Sequence, residues 1–224
     1  MQQKNKSLTK NIPLEGDFMK KSIDDRIYGY LQLNSYKGVD KDNNVIYFVY
    51  KQDHNITAIS KNLKINRRTT GRKMENLIKS GYIEESTVLS KKGDEEVPCY
   101  IIKKIDLAYQ KIDYDTLRLL VYTTQDYVIK IYVYLLNAIY KNPHYEFTYK
   151  ELMYECLGIK STHNSRDYDI VKSCLELLIR LKLLKLTQKK KVKYIDGKQK
   201  TFYFVVQEIR TKLDKIENIE EIRL

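Results

Sequence analysis

Arg67, Arg68, Thr69, Arg72 and Lys73 stand within two helical turns of one another, and side chains of these types share one kind of chemistry. Guanidinium groups fork onto guanine edges, ammonium groups meet phosphates as point charges, and hydroxyls serve either target. Donors gathered in this way suit hydrogen bonding in a DNA major groove, provided that a helix holds them on one side. A solvated helix face would use the same residues, so the surrounding elements have to decide between the two readings.

Those elements are legible. The stretch NITAISKNLKINRRTTGRKMENLIKSGYI, from Asn55 to Ile83, predicts two helices joined by a turn. Ile56, Ile59 and Leu63 recur at helical spacing behind a capping Asn55. Lys64, Ile65 and Asn66 form the turn. Thr70, Met74, Leu77 and Ile78 then make the apolar face of a second helix that stops at Gly81. Downstream, Tyr82 to Leu89 and Val97 to Ile105 are rich in β-branched and aromatic residues, around the turn-like SKKGDEE with Gly93 as pivot. This order, over Val45 to Ile105, resembles the winged-helix family. The resemblance implies that the helix over Arg67 to Ser80 is a recognition helix and that Lys91 to Gly93, with Lys92, is the tip of a wing.

The plan repeats, and a repeat is stronger evidence than either copy. Gln125 to Lys141 predicts a helix with Val128, Ile129, Tyr132, Leu135, Leu136 and Ile139 on one face, ended by Asn142-Pro143. A short strand follows at Tyr145 to Phe147. Thr148 and Glu151 form a capping-box pair for a helix that stops at Gly158. Ile159 to Asn164 is the turn, and Ser165 or Asp167 opens a long helix with Ile170, Val171, Cys174, Leu177, Leu178 and Leu181 buried. Lys185 to Ile195 and Lys200 to Val206 flank Asp196-Gly197, a two-residue hairpin signal. The second helix pair carries Asn164, Ser165, Arg166 and Lys172, offset by Asp167, Asp169 and Glu176, while its hairpin carries Lys189, Lys190, Lys191 and Lys193. The expected division is that the first copy reads bases and the second grips phosphates through its wing.

The rest of the chain is assigned around these modules. Residues 1–21, polar and containing Pro13 and Gly16, read as a flexible or loosely docked arm. Ser22 or Asp24 caps a helix through Ile27, Tyr30, Leu31 and Leu33, Gly38 to Asn44 is loop, and the first domain spans 22–106. Asp106 to Asp115 reads as a linker or short connecting helix, and the second domain spans 107–206. Residues 207–224 form an amphipathic helix through Ile209, Leu213, Ile216, Ile219 and Ile222, suited either to packing on the second domain or to docking a partner or a second copy. The fold class expected is α+β, mainly helical with small β-hairpin wings.

Lys and Arg outnumber Asp and Glu by 41 to 29 in 224 residues, a formal charge of +12, which favours a polyanionic partner. Ile131 to Tyr140 is too short for a membrane span, and the first residues lack the apolar core of a signal peptide. Cys99, Cys156 and Cys174 are too scattered for a disulfide framework, so a cytoplasmic protein is expected. Enzymatic signals are weak. His163 to Arg166 matches the His-x-x-Arg element of tyrosine recombinases, without an upstream arginine box. His54, His144 and His163 make no paired-histidine site, zinc-ligand spacing is missing, and no phosphate-binding Gly-x-x-x-x-Gly-Lys loop occurs. The 20 tyrosines could stack on single strands, but Tyr82 and Tyr132 sit at core-facing positions.

The runs RIYGYLQLNS, VIYFVYKQ and IKIYVYLLNAIYKNPHYEFTYKELMYECLGI look like the modules of plasmid and phage replication initiators and replisome organisers of low-GC bacteria. That resemblance covers most of residues 22–206. It implies a non-enzymatic protein, without cofactor or metal, that binds double-stranded DNA at an origin and meets a helicase or helicase loader. A separate helicase-recruiting domain is not evident. A transcriptional regulator of a mobile element would share the module, and a homodimer would double the DNA footprint.

Overall fold

The computed structural model describes residues 3–4, 8–40, 43–90, 95–103, 108–123, 125–160, 165–189, 193–195, 198–200 and 203–213. The fold is α+β and divides into two units, Met1–Phe18 with Ser22–Thr124, and Met19–Lys21 with Gln125–Arg223.

The first unit comprises β1 (Gln3–Lys4), β2 (Thr9–Pro13), α1 (Asp25–Leu33), β3 (Tyr36–Val39), β4 (Val45–Tyr50), α2 (Ile56–Leu63), α3 (Arg67–Lys79), β5 (Ile83–Leu89), β6 (Glu96–Ile102), β7 (Tyr109–Asp113) and α4 (Tyr114–Val121). Asp24 starts α1 by accepting from the Ile27 amide at 2.7 Å. All of α1 is buried, as befits a helix packed on every side. It includes Arg26, whose guanidinium donates to the Leu63 carbonyl at 2.9 Å and the Val121 carbonyl at 3.1 Å. These are the last residues of α2 and α4, so a buried cation meets the negative ends of two helices. Burial of Leu31 or Leu77 contributes about 2 kcal/mol each.

A five-stranded antiparallel sheet runs β1–β3–β4–β6–β5, and β2 pairs with β7 in a ribbon of its own. Tyr50 lies opposite Cys99 and Phe48 opposite Ile101, which puts Phe48, Tyr50, Val88 and Cys99 in one apolar cluster.

The second unit holds α5 (Val128–Lys141), β8 (Glu146–Phe147), α6 (Tyr149–Leu157), α7 (Ser165–Arg180), β9 (Leu184–Lys189), β10 (Lys193–Ile195), β11 (Lys198–Lys200) and β12 (Tyr203–Ile209). Its main sheet runs β8–β12–β9. In both units the strand ahead of the helix pair lies beside the second strand of the following hairpin, giving β4–β6–β5 and β8–β12–β9. The repeat foreseen in the sequence is therefore present in the sheet topology. Ile195 faces Lys198 across β10 and β11, the register a two-residue connection requires, although Asp196 and Gly197 lie outside the described residues.

Five expectations change. Residues 1–21 are not a free arm throughout: Thr9–Pro13 pairs with Tyr109–Asp113, and Ile12 and Phe18 are fully buried. A polar stretch with Pro13 and Gly16 reads as a tail until its distant partner strand supplies the missing hydrogen bonds. The same pairing makes Tyr109–Asp113, within the expected linker, a strand, and Asp113 caps α4 through Thr116. With α4 packed on α1, the first unit ends near residue 124 rather than 106. Part of the expected loop at 38–44 is strand, since Gly38 and Val39 pair with Ile46 and Val45. The helix expected from residue 207 does not begin there. Gln207, Glu208 and Ile209 continue β12, with Ile209 opposite Leu184, because cross-strand pairing outweighs helical spacing of a few isoleucines. Residues 214–224 lie outside the described residues.

Candidate nucleic-acid interface

The start of α3 is built by Asn66. Its side-chain oxygen accepts from the Arg68 amide at 2.9 Å and the Thr69 amide at 3.4 Å, satisfying donors the helix itself cannot. Lys64 adopts the left-handed conformation in the turn before it, with φ of 54°. Thr70, Met74 and Leu77 are buried beneath the helix. Arg67, Arg68 and Arg72 are exposed, and Thr69 is half-buried. No acidic residue occupies the first turn, and the helix's single acid is Glu75, exposed three residues beyond Arg72.

Lys73 has a different fate from the one expected of it. Its ammonium pairs with the second oxygen of Asp24, whose side chain is only 2% exposed. One buried carboxylate thus caps α1 and holds α3, and Lys73 belongs to the fold rather than to a DNA-facing set. The pairing follows from burial, since an ionised carboxylate removed from water requires a cation or donors beside it. Asn76 adds a second tie, donating to the Ser22 carbonyl at 2.9 Å.

The start of α3 is also the wall of a depression that the sequence did not announce. Arg67 shares it with Lys51, Tyr100 and, from the α2 end, Asn55, Thr57 and Lys61. Thr57 and Lys61 are exposed one turn apart on α2, a spacing visible in the sequence. Tyr100 comes from β6 and Lys51 directly follows β4, and the lysine ammonium lies 4.9 Å from the tyrosine ring centroid. Lys91 and Lys92, the expected wing tip, lie outside the described residues.

In the second unit, Thr148 accepts from the Glu151 amide at 3.2 Å and starts α6. The Glu151 carboxylate accepts from the Tyr145 hydroxyl at 2.5 Å, and Tyr134 and Tyr145 share a hydrogen bond of 2.8 Å. Glu151 therefore supplies an anchor for the strand region in place of the reciprocal half of a capping box. Burial pushes the Tyr134 phenol up to about 12, and burial with the carboxylate raises Tyr145 further. Tyr30, Tyr82 and Tyr100 are likewise raised by burial. Phenolates are disfavoured at each of these positions, the opposite of what a nucleophile needs.

On α7, Ser165, Arg166 and Lys172 are exposed, but acids accompany them. Asp167 is buried against Lys21, which belongs to the same unit, and Lys172 stands 4.0 Å from Glu176. Asn164, Lys190 and Lys191 lie outside the described residues. Lys189 ends β9 and Lys193 opens β10. Among the described residues, no group of three or more His, Cys, Asp or Glu side chains is placed to share a metal ion, and no helix is long and apolar enough to cross a membrane. Comparison with family models, with curated proteins and with solved structures finds no match to this chain.

Proposed function

We propose that this protein is a tandem winged-helix protein that binds double-stranded DNA in a sequence-specific way, without chemistry of its own. The observation that carries the proposal is the solvent face of α3. Arg67, Arg68 and Arg72 project from a helix whose other face is buried and whose first turn holds no acid. A helix of this kind fits the major groove, and an arginine there favours guanine through its O6 and N7 acceptors. Arg68 and Arg72 lie one turn apart on one face, which suits them to neighbouring base pairs. The shared strand order of the two units and the excess of basic residues support the same reading.

The resemblance of the sequence to plasmid and phage replication initiators extends the proposal to binding at an origin, with a helicase or helicase loader as the protein partner. Selection of duplexes from a random pool, followed by salt titration, tests the DNA-binding part. A preferred site whose advantage over random DNA persists from about 50 to about 200 mM salt supports base readout, whereas equal binding to all sequences refutes it. A preferred site inside an origin supports initiation. A site over a promoter makes the protein a transcriptional regulator instead.

A further inference from the structure

We propose that the depression beside the first turn of α3 seats a backbone phosphate of bound DNA, and that Arg67 belongs to this seat rather than to the base-reading set. The proposal rests on the DNA-binding function above and assigns its parts. The depression is shallow, with a volume of about 590 Å³, and its polar lining is Lys51, Asn55, Thr57, Lys61, Arg67 and Tyr100. No carboxylate is among the lining side chains. Cations from β4's end, α2 and α3 thus converge on one place with a hydroxyl donor beside them.

The chemistry favours a full negative charge over a base edge. A guanine edge offers neutral acceptors, which one guanidinium satisfies, whereas Lys61 and Arg67 share a lining without a carboxylate and repel one another until an anion joins them. Lys51 already spends a contact on Glu85 at 2.7 Å, and its ammonium also lies over the ring of Tyr100, which is buried and acts as the floor. Asn55 is occupied as well, capping α2 through the Ala58 amide at 3.0 Å and donating to the Gln52 carbonyl. The groups left to meet a phosphate are therefore Lys61, Arg67 and the Thr57 hydroxyl. Arg68 and Arg72 do not line the depression and retain the base-reading role.

Four variants separate the two sets: Lys61→Ala and Arg67→Ala against Arg68→Ala and Arg72→Ala. All four positions are exposed, and Lys61→Gln with Arg67→Gln repeats the test with longer side chains, each variant checked by thermal melting. Binding is measured on the selected duplex and on random duplex across salt. The seat predicts that Lys61→Ala and Arg67→Ala weaken both duplexes by the same factor and leave the preferred bases unchanged. It also predicts that the slope of log K against log salt flattens by about 0.9 per lost phosphate contact, so each deficit shrinks three- to fourfold, roughly, between 50 and 200 mM. Arg68→Ala and Arg72→Ala should instead lower the preference for the selected site.

A change of preferred bases in Arg67→Ala overturns the proposal, as does a slope that neither Lys61→Ala nor Arg67→Ala alters. Either result leaves sequence-specific binding by the wild type standing. A wild type that binds no duplex overturns both proposals. Inorganic phosphate, added at matched ionic strength, distinguishes the source of the anion: unchanged duplex binding supports a strand phosphate, and competition would assign the depression to a free anion and overturn the seat.

Discussion

The helices α3 and α7 occupy equivalent places in their units and differ in where their countercharges come from. Acids that accompany α7 lie on the helix itself, as Asp167, Asp169 and Glu176, and Glu176 stands opposite Lys172. Helix α3 has only Glu75 of its own, beyond its first turn, and its buried countercharge comes from the cap of another helix. Asp24 withdraws Lys73 and leaves Arg67, Arg68 and Arg72 exposed. A shared topology therefore does not imply a shared surface. The comparison also shows that a tally of charges along a helix overstates what faces solvent, since it counts Lys73 with the arginines and Asp167 with the exposed acids.

The largest effect that could break this contrast is on stability. Lys73→Ala leaves the nearly buried Asp24 carboxyl without its cation, so unfolding in denaturant should show a loss of about 3 kcal/mol or more. Lys172→Ala should change stability by less than about 0.5 kcal/mol, because its pair with Glu176 is long and exposed. Equal, small losses would return Lys73 to the exposed set and remove the difference between the helices. Next comes specificity. Arg68→Ala and Arg72→Ala should each lower discrimination for a selected duplex by about 1–3 kcal/mol. Arg166→Ala should weaken all duplexes alike, measured by competition against random DNA.

A smaller effect concerns how the two helices stop. Gly81 follows α3 in the left-handed conformation with φ of 73°, and Lys182 follows α7 with φ of 55°. Tyr82 donates to the Leu77 carbonyl and Leu183 to the Leu178 carbonyl, the same closing bond in each unit. Gly81→Ala should lower stability by about 1 kcal/mol, and Lys182→Gly should raise it by a fraction of that, read from denaturation midpoints. Opposite signs support the equivalence of the two stops.

The last contrast is in pH dependence. Lys10 and Lys130 are both buried, Lys130 donating to the Lys20 carbonyl. Burial lowers the Lys10 ammonium to about 8. The unfolded chain then binds more protons than the native one between that pH and the ordinary lysine value, so the Lys10 contribution to stability rises with pH across that window. Relative to Lys10→Met, the wild type should gain stability from about pH 8 to about pH 10.5, measured by denaturation at each pH. A difference that stays flat would refute the shift.

Much of the candidate site was legible because its determinants are local. Asn55 and Thr148 cap helices through amides three residues away, Asn66, expected only as part of the turn, caps α3 in the same way, and Gly81 and Gly158 supply left-handed stops. Apolar spacing located Met74, Leu77, Val171 and Cys174 in the core. The depression was half visible, since Thr57 and Lys61 share a face of α2, but nothing local joins them to Lys51 or Tyr100. Glu151 illustrates the limit of a motif: Thr148 and its spacing were right, and a phenol from β8's neighbourhood claimed the carboxylate.

The sequence by itself determined the helix pairs, their caps and stops, the repeated order of elements and the basic character of α3, because propensity, capping and periodicity act across a few residues. Tertiary structure alone decided that Thr9–Pro13 is a strand against Tyr109–Asp113, that Arg26 closes two helices, and that Lys73 answers Asp24 instead of solvent. Each of these joins groups far apart in the chain. Burial is what selects them, since a carboxylate, a guanidinium or a strand edge removed from water takes whichever partner the fold brings within reach.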